Sequence, residues 1–333
     1  MIVIVEDEVF SSPRTDSLAL LSLFQLGYEG QHRVQTEPLY HPAADQGLNR
    51  WLATLAPTLH DAVILALEAG LEGDVSGIPS DLTIQIGTDS QSDWESVPPR
   101  LPLPAALSFL RRPLRILVEN RHNDGAFLRV VAPPPWRGEY LKLQKKGWIE
   151  LDHGGGLGDM QTRAETVRHE EALRLWALFD SDAREPGVPS QRSEALRSTC
   201  LEARIAHHQL RRRFIESYLP VSALLAWAHK SSGAVRRARR EAAEAFASME
   251  PRQRHHYNLK GGFNKDRQTG IPSSTAPMPK IGTFRLALER ASEPFSTRRI
   301  SRFRRSGWSA TGSAKRRPRC SSPSSDGCKE HRT

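Results

Sequence analysis

The chain has three cysteines in 333 residues, Cys200, Cys320 and Cys328, and no pair has C-x-x-C spacing. Neither a disulfide framework nor a cysteine zinc site is supported, and a reducing compartment, most simply the cytoplasm, is expected. No apolar run approaches the roughly 18 to 20 residues that a membrane helix needs, so no membrane partner is expected. The start, MIVIVEDEVF, carries acid where a secretory leader carries base. The sequence G-x-x-x-x-G-K-[ST] is absent, so any ATP hydrolysis associated with this chain is expected to come from a partner.

Net charge is also absent over most of the length, where basic and acidic residues balance. The formal net charge is +9. Residues 298–333 hold 11 Lys or Arg against Asp326 and Glu330, which accounts for all of that excess. The high isoelectric point therefore belongs to the tail and says nothing about nucleic-acid binding by residues 1–297.

What is present is an alternation of short apolar runs with helical patterns, which points to an α/β protein with mostly parallel sheet. No internal sequence repeat is visible. Residues 1–104 read as an α/β accessory region. It has an apolar run at 2–5, a capped helix from Asp16 to Leu26, a long helix from Gly47 to Leu71 interrupted near Pro57, and a strand at 82–86. The segment Asp89–Pro104, with four prolines, reads as a linker. Met1–Glu8, with its acids after an apolar run, resembles the start of a receiver domain, but no later strand-Asp or strand-Lys in the first hundred residues supports that reading. Residues 113–220 carry strands at 114–118, 148–151 and 175–179. Helices are expected at 125–131, stopped by Pro133-Pro134-Pro135, at 159–173 and at 193–202. Residues 221–297 read as helical, and 298–333 as a basic, disordered tail.

The chemistry sits at strand ends. Ile116-Leu117-Val118 is followed by Glu119, and Leu175–Phe179 by Asp180-Ser181-Asp182; Glu216 follows Arg212-Arg213-Phe214-Ile215. Open α/β sheets build sites at the carboxyl ends of their strands. Acids gathered there repel one another unless a cation neutralises them, and an all-oxygen set suits Mg²⁺ or Mn²⁺. Each acid also has a plainer reading: Glu119 as a solvated strand end, Asp182 as a turn cap, and Glu216 as the ion-pair partner of an arginine. Gly154-Gly155-Gly156 reads as a tight strand-to-helix turn, with Asp152-His153 beside it. The adjacent pairs His207-His208 and His255-His256 are poorly disposed to share a metal, and Arg236-Arg237-Ala238-Arg239-Arg240 reads first as a solvated helix face.

The ordered set strand-Glu, glycine turn, strand-D-x-D resembles the Toprim domain of topoisomerases, bacterial primases and the overcoming-lysogenization-defect nucleases. Leu117–Leu128 is similar to the family's V-E-G-x-x-D-x-x-x-L opening, with Asn120 in the glycine position and Asp124 near the second acid. Leu210–Leu219 is similar to an R-R-x-I-E-N-Y-L stretch of the Toprim proteins that accompany ABC-type ATPases in bacterial phage defence, with Ser217 for asparagine. The resemblance covers about 110 residues. It implies a Toprim-type sheet flanked by helices and a metal-dependent nuclease that cuts DNA or RNA, with Mg²⁺ or Mn²⁺ held by Glu119, Asp180, Asp182 and Glu216. It also implies a phosphate gripped by Arg212 or Arg213, and gating by a separate ABC-type ATPase in antiviral defence. The alternatives are a non-catalytic Toprim-like module that binds such an ATPase, and a primase or topoisomerase fragment.

Overall fold

A computed structural model describes residues 1–71, 82–230 and 232–258. The basic tail and the end of the helical region lie outside the described residues. The class expected from the sequence is the one observed: two four-stranded, all-parallel sheets flanked by helices, then a helical region after residue 220.

The first sheet has the order β2-β1-β3-β4, built from β1 (Ile2–Glu6), β2 (Arg33–Glu37), β3 (Thr83–Gly87) and β4 (Arg100–Pro102). Helices α1 (Asp7–Ser11), α2 (Ser17–Tyr28), α3 (Gly47–Leu52), α4 (Pro57–Leu71) and α5 (Leu103–Leu110) flank it. Asp16 caps α2 by accepting from the Leu18 N–H at 2.9 Å. Val3, Val5, Ile84, Ile86 and Leu101 join Leu23, Phe24, Trp51, Leu67 and Phe109 in one apolar core. Pro57 opens α4, where its missing N–H costs nothing.

The expected linker at Asp89–Pro104 is corrected. Arg100–Pro102 is the edge strand beside β3, and Leu101 is fully buried. A proline-bearing strand is tolerated there because an edge strand need not donate on its open side. α5 belongs to the same core, so this sheet's packing extends to Leu110.

The second sheet repeats that strand order as β6-β5-β7-β8, although the sequence shows no repeat. Its strands are β5 (Leu114–Val118), β6 (Ile149–His153), β7 (Leu175–Phe179) and β8 (Ala206–Gln209). They are joined through α6 (Arg121–Val131), α7 (Pro134–Lys145), α8 (Leu157–Thr166), α9 (His169–Ala172) and α10 (Gln191–Glu202). Side chains alternate along the strands. Leu117, Leu175, Ala177 and Phe179 pack with Met160, Leu196 and Cys200, while Ile116, Val118 and Leu178 pack with Phe127, Leu210 and Ile215. A sheet covered on both faces needs the near-continuous apolar runs that β5 and β7 carry. Full burial of a side chain such as Phe179 contributes about 1.5–3 kcal/mol.

Three expectations shift here. The prolines after α6 both stop that helix and start α7. The single helix expected at 159–173 is two, α8 and α9. β8 escaped notice because its residues, Ala-His-His-Gln, have neither β-branching nor an apolar face.

The helical region consists of α11 (Val221–His229), α12 (Gly233–Ser248) and α13 (Pro251–His256). Leu224, Trp227, Ala228, Ala243, Phe246 and Tyr257 form its core. No helix among the described residues is long and apolar enough to cross a membrane.

Candidate functional site

A cleft of about 260 Å³ opens at the carboxyl end of the second sheet. It is lined by Glu119, Asn120, Asn123, Asp124, His153, Gly155, Gly156, Asp180 and Ile215. Three carboxylates and a histidine line it, and neither lysine nor arginine does.

β5 delivers Glu119 and β7 delivers Asp180, and the two are adjacent strands in parallel register, Val118 opposite Leu178. Their acids are wired together: Glu119 Oε1 accepts the Asp180 backbone N–H at 3.0 Å, and Asp180 Oδ1 accepts the Ile215 N–H at 3.1 Å. The Asp180 carbonyl accepts from Ser193 Oγ at 2.7 Å, which ties the strand end to α10. Hydrogen bonds from backbone N–H groups favour the ionised form of a carboxylate.

The wall beside Glu119 is the start of α6. Asn120 is its N-cap, with Oδ1 accepting from the N–H groups of His122 and Asn123, both at 3.0 Å. Asp124, 7% exposed, returns one turn later to accept the Asn120 N–H at 2.8 Å. Asparagine thus does at 120 what a glycine cannot, by satisfying two of the orphan donors of the helix.

The opposite wall is the glycine turn from β6 to α8. The Gly154 N–H donates to Val118 O at 2.7 Å, and a Cβ on Gly154 would lie 2.3 Å from Met160 Cγ. Gly155 has φ +80°, and a Cβ there would lie 2.4 Å from Asp159 Oδ2. The turn therefore needs glycine for both close approach and left-handed backbone. It leads into α8, so the amino ends of two helices face the cleft, and their partial positive charge offsets some of the carboxylate repulsion.

The remaining expected residues stand apart from this lining. Asp182 has φ +50°, and its N–H donates to Arg213 O at 3.1 Å. The turn breaks the strand alternation that was to aim both aspartates the same way, and Asp182 does not line the cleft. Glu216 sits on the 3-10 turn Ile215–Tyr218, 3% exposed, also outside the lining. Arg213 is 6% exposed, and its Nη1 donates to His256 O at 3.1 Å. Arg212 donates from Nη1 to Ser217 O at 2.7 Å and lies 4.6 Å from the Tyr218 ring centroid. Neither arginine lines the cleft. Asp152 is taken up by Arg163 at 3.1 Å and Arg115 at 3.8 Å. Of the paired histidines, His207 Nδ1 donates to Ile205 O and His256 Nδ1 to Ala183 O.

Among the described residues no three His, Cys, Asp or Glu side chains form a closed coordination set. The donors that do converge fit Mg²⁺ nonetheless, since that ion is commonly held by one or two carboxylates, with water and phosphate completing the shell. The first sheet supplies the contrast. Glu6 ends its first strand as Glu119 follows β5, but Glu6 is paired with Arg100 and accepts from Gln85 Nε2 at 2.9 Å, with Asp89 3.6 Å from Arg100 on the other side. An arginine side chain supplies the cation there. Burial still raises the Glu6 carboxyl above its ordinary value, against the opposing pull of Arg100.

Comparison with family models, with curated proteins and with solved structures gave no match to this chain. Asn123 and Ile215 are the lining residues that the sequence least announced, whereas Asp124 had been placed near the second acid of the resembled opening. The signal for Asp124 was present in its spacing, one helical turn from the Asn120 cap.

Proposed function

We propose that this chain is a metal-dependent nuclease that hydrolyses phosphodiester bonds of DNA or RNA. The observation that carries the proposal is the cleft at the carboxyl end of β5 and β7, lined by Glu119, Asp124 and Asp180 with no basic side chain among its lining. Such a lining attracts a divalent cation, and through it a phosphate. A Mg²⁺ or Mn²⁺ bound there supplies charge neutralisation on phosphoryl oxygens and an acidified water. Glu119 and Asp180 would hold the ion, and the chain's part is to fix Asp180 Oδ1 through the Ile215 N–H and Glu119 Oε1 through the Asp180 N–H. Asp182 and Glu216 support the site from behind, in the loop and turn that fix Arg213 and Ile215.

The Toprim resemblance of Leu117–Leu128 and Leu210–Leu219 supports the same reading. It extends it to a cytoplasmic effector of anti-phage defence, gated by a separate ABC-type ATPase. The test is direct: purified chain with Mg²⁺ or Mn²⁺, with and without that ATPase, should nick or degrade DNA or RNA, and Asp180→Ala should lose the activity by about a hundredfold or more. Equal cleavage by Asp180→Ala, or none by the wild type under any of these conditions, refutes the proposal.

A further inference from the structure

We propose that His153 is the general acid of the cleft, giving a proton to the oxygen that departs from phosphorus. The inference rests on the nuclease reading and names the proton donor that such a reaction needs. Cutting a phosphodiester releases an alkoxide, which leaves slowly unless it is protonated as its bond breaks. The cleft has no lysine or arginine in its lining to serve that oxygen. Its three carboxylates each accept a backbone N–H: Glu119 from Asp180, Asp180 from Ile215, and Asp124 from Asn120. That arrangement favours the ionised form and suits an ion ligand or an acceptor, not an acid. The amides of Asn120 and Asn123 have no proton to give up in the neutral range. His153 is the lining side chain that remains, and histidine is the residue whose proton comes and goes near neutral pH.

The backbone of His153 is fixed while its ring is not committed. It is the last residue of β6, in register with Val118, and its carbonyl accepts from Arg163 Nη1 at 2.9 Å. The next N–H, of Gly154, donates to Val118 O at 2.7 Å. The ring is exposed, and among the described residues it has no hydrogen-bond or ion-pair partner. Asp152, one residue earlier, is the opposite case, held by Arg163 and Arg115 and absent from the lining. The strand order β6-β5-β7 places the strand of Glu119 between those of His153 and Asp180. The ends of β6 and β7 are thus roughly 10 Å apart, two strand spacings. Among the described residues no three His, Cys, Asp or Glu side chains form a coordination set, so His153 faces the cleft from the wall opposite Asp180 and does not join it. In an in-line displacement the leaving oxygen departs on the side away from the attacking water. The step balances as follows: a water oxygen bonds to phosphorus, the ester P–O bond breaks, and the ring proton of His153 passes to the departing oxygen. The products are an alcohol and a neutral imidazole. The attacking water loses a proton to solvent, and solvent returns one to the ring.

The experiment uses the full-length chain with Mn²⁺, and with the ATPase where cleavage requires it, on two substrates: nucleic acid, and bis(4-nitrophenyl) phosphate, whose nitrophenolate leaves without a proton. His153→Gln should cut nucleic acid about a hundredfold more slowly or worse, yet lose less than about threefold on the nitrophenyl ester. Free imidazole should restore part of the nucleic-acid cleavage to His153→Ala. Titration calorimetry of His153→Gln should give the Mn²⁺ isotherm of the wild type. The proposal is overturned if His153→Gln cuts nucleic acid as the wild type does, if it loses equally on both substrates, or if imidazole rescues nothing. Loss of Mn²⁺ uptake by His153→Gln also overturns it, by making the ring an ion ligand. A wild type that cuts neither substrate overturns the nuclease reading and this role with it, whereas a cutting wild type matched by His153→Gln overturns the role of His153 alone.

Discussion

Replacing Gly154 by alanine tests whether the glycine turn is what shapes the wall of the cleft. The added Cβ would stand 2.3 Å from Met160 Cγ, 3.0 Å from Met160 Sδ and 3.0 Å from Val118 O. Met160 is fully buried among Leu117, Leu157, Leu196 and Cys200, so it cannot swing into solvent. Overpacking of this kind costs about 1–3 kcal/mol. The loss of unfolded-chain freedom on going from glycine to alanine offsets about 0.4–1 kcal/mol of it. A net destabilisation of about 1–2 kcal/mol is expected, which lowers Tm by about 1–3 °C in a chain of this size. Met160→Ala alone should cost about 2–5 kcal/mol through the cavity it leaves. The two changes should not add: the alanine methyl at 154 enters space that Met160 vacates, giving a coupling of about 1 kcal/mol, held below full rescue by the remaining contact with Val118 O. Thermal and urea denaturation of the four proteins measures this. An unchanged Tm for Gly154→Ala, or strict additivity of the pair, refutes the packing argument.

Asn120→Ala should lose about 1 kcal/mol by uncapping α6 at the cleft, whereas Asn120→Asp should keep the cap, as urea denaturation would show. His32 gives a pH prediction. Burial first, then the N-terminal amino group and Arg174, lowers its pKa to about 3 from an ordinary 6.5, and its ring donates to Leu110 O. The folded state therefore binds this proton less readily than the unfolded chain. Its contribution to stability is complete above about pH 6.5 and is lost as pH falls towards 3, by about 1.4 kcal/mol per unit. Between pH 7 and 5 the wild type should lose about 2 kcal/mol from this group, and His32→Gln should remove that share of the slope; parallel slopes would contradict the assignment.

How much of this was legible beforehand depended on which residues carried a local signal. β5 and β7 declared themselves because a strand buried on both faces needs an unbroken apolar run, and Glu119 and Asp180 were legible because they follow those runs directly. β4 and β8 are edge strands; Arg100-Leu101-Pro102 and Ala206–Gln209 carry no periodicity, and only pairing with β3 and β7 makes them strands. The position of Asp182 turned on a single backbone angle, φ +50°, which no side-chain pattern announces. Arg213 looked like a ligand-binding cation in the sequence, yet it is committed to a main-chain carbonyl 43 residues away, a long-range contact that spacing cannot reveal. The repeated strand order was hidden for a related reason: Glu6 and Glu119 follow the same topology, but their neighbourhoods differ by one arginine, Arg100.

The central claim is that Glu119 and Asp180 together hold a divalent cation, and titration calorimetry of the full-length chain with Mn²⁺ tests it most directly. The account predicts a binding isotherm for the wild type that Glu119→Gln and Asp180→Asn each abolish while the folded state, followed by circular dichroism, is retained. A wild type that takes up no Mn²⁺, or variants that bind it as tightly as the wild type, would contradict it.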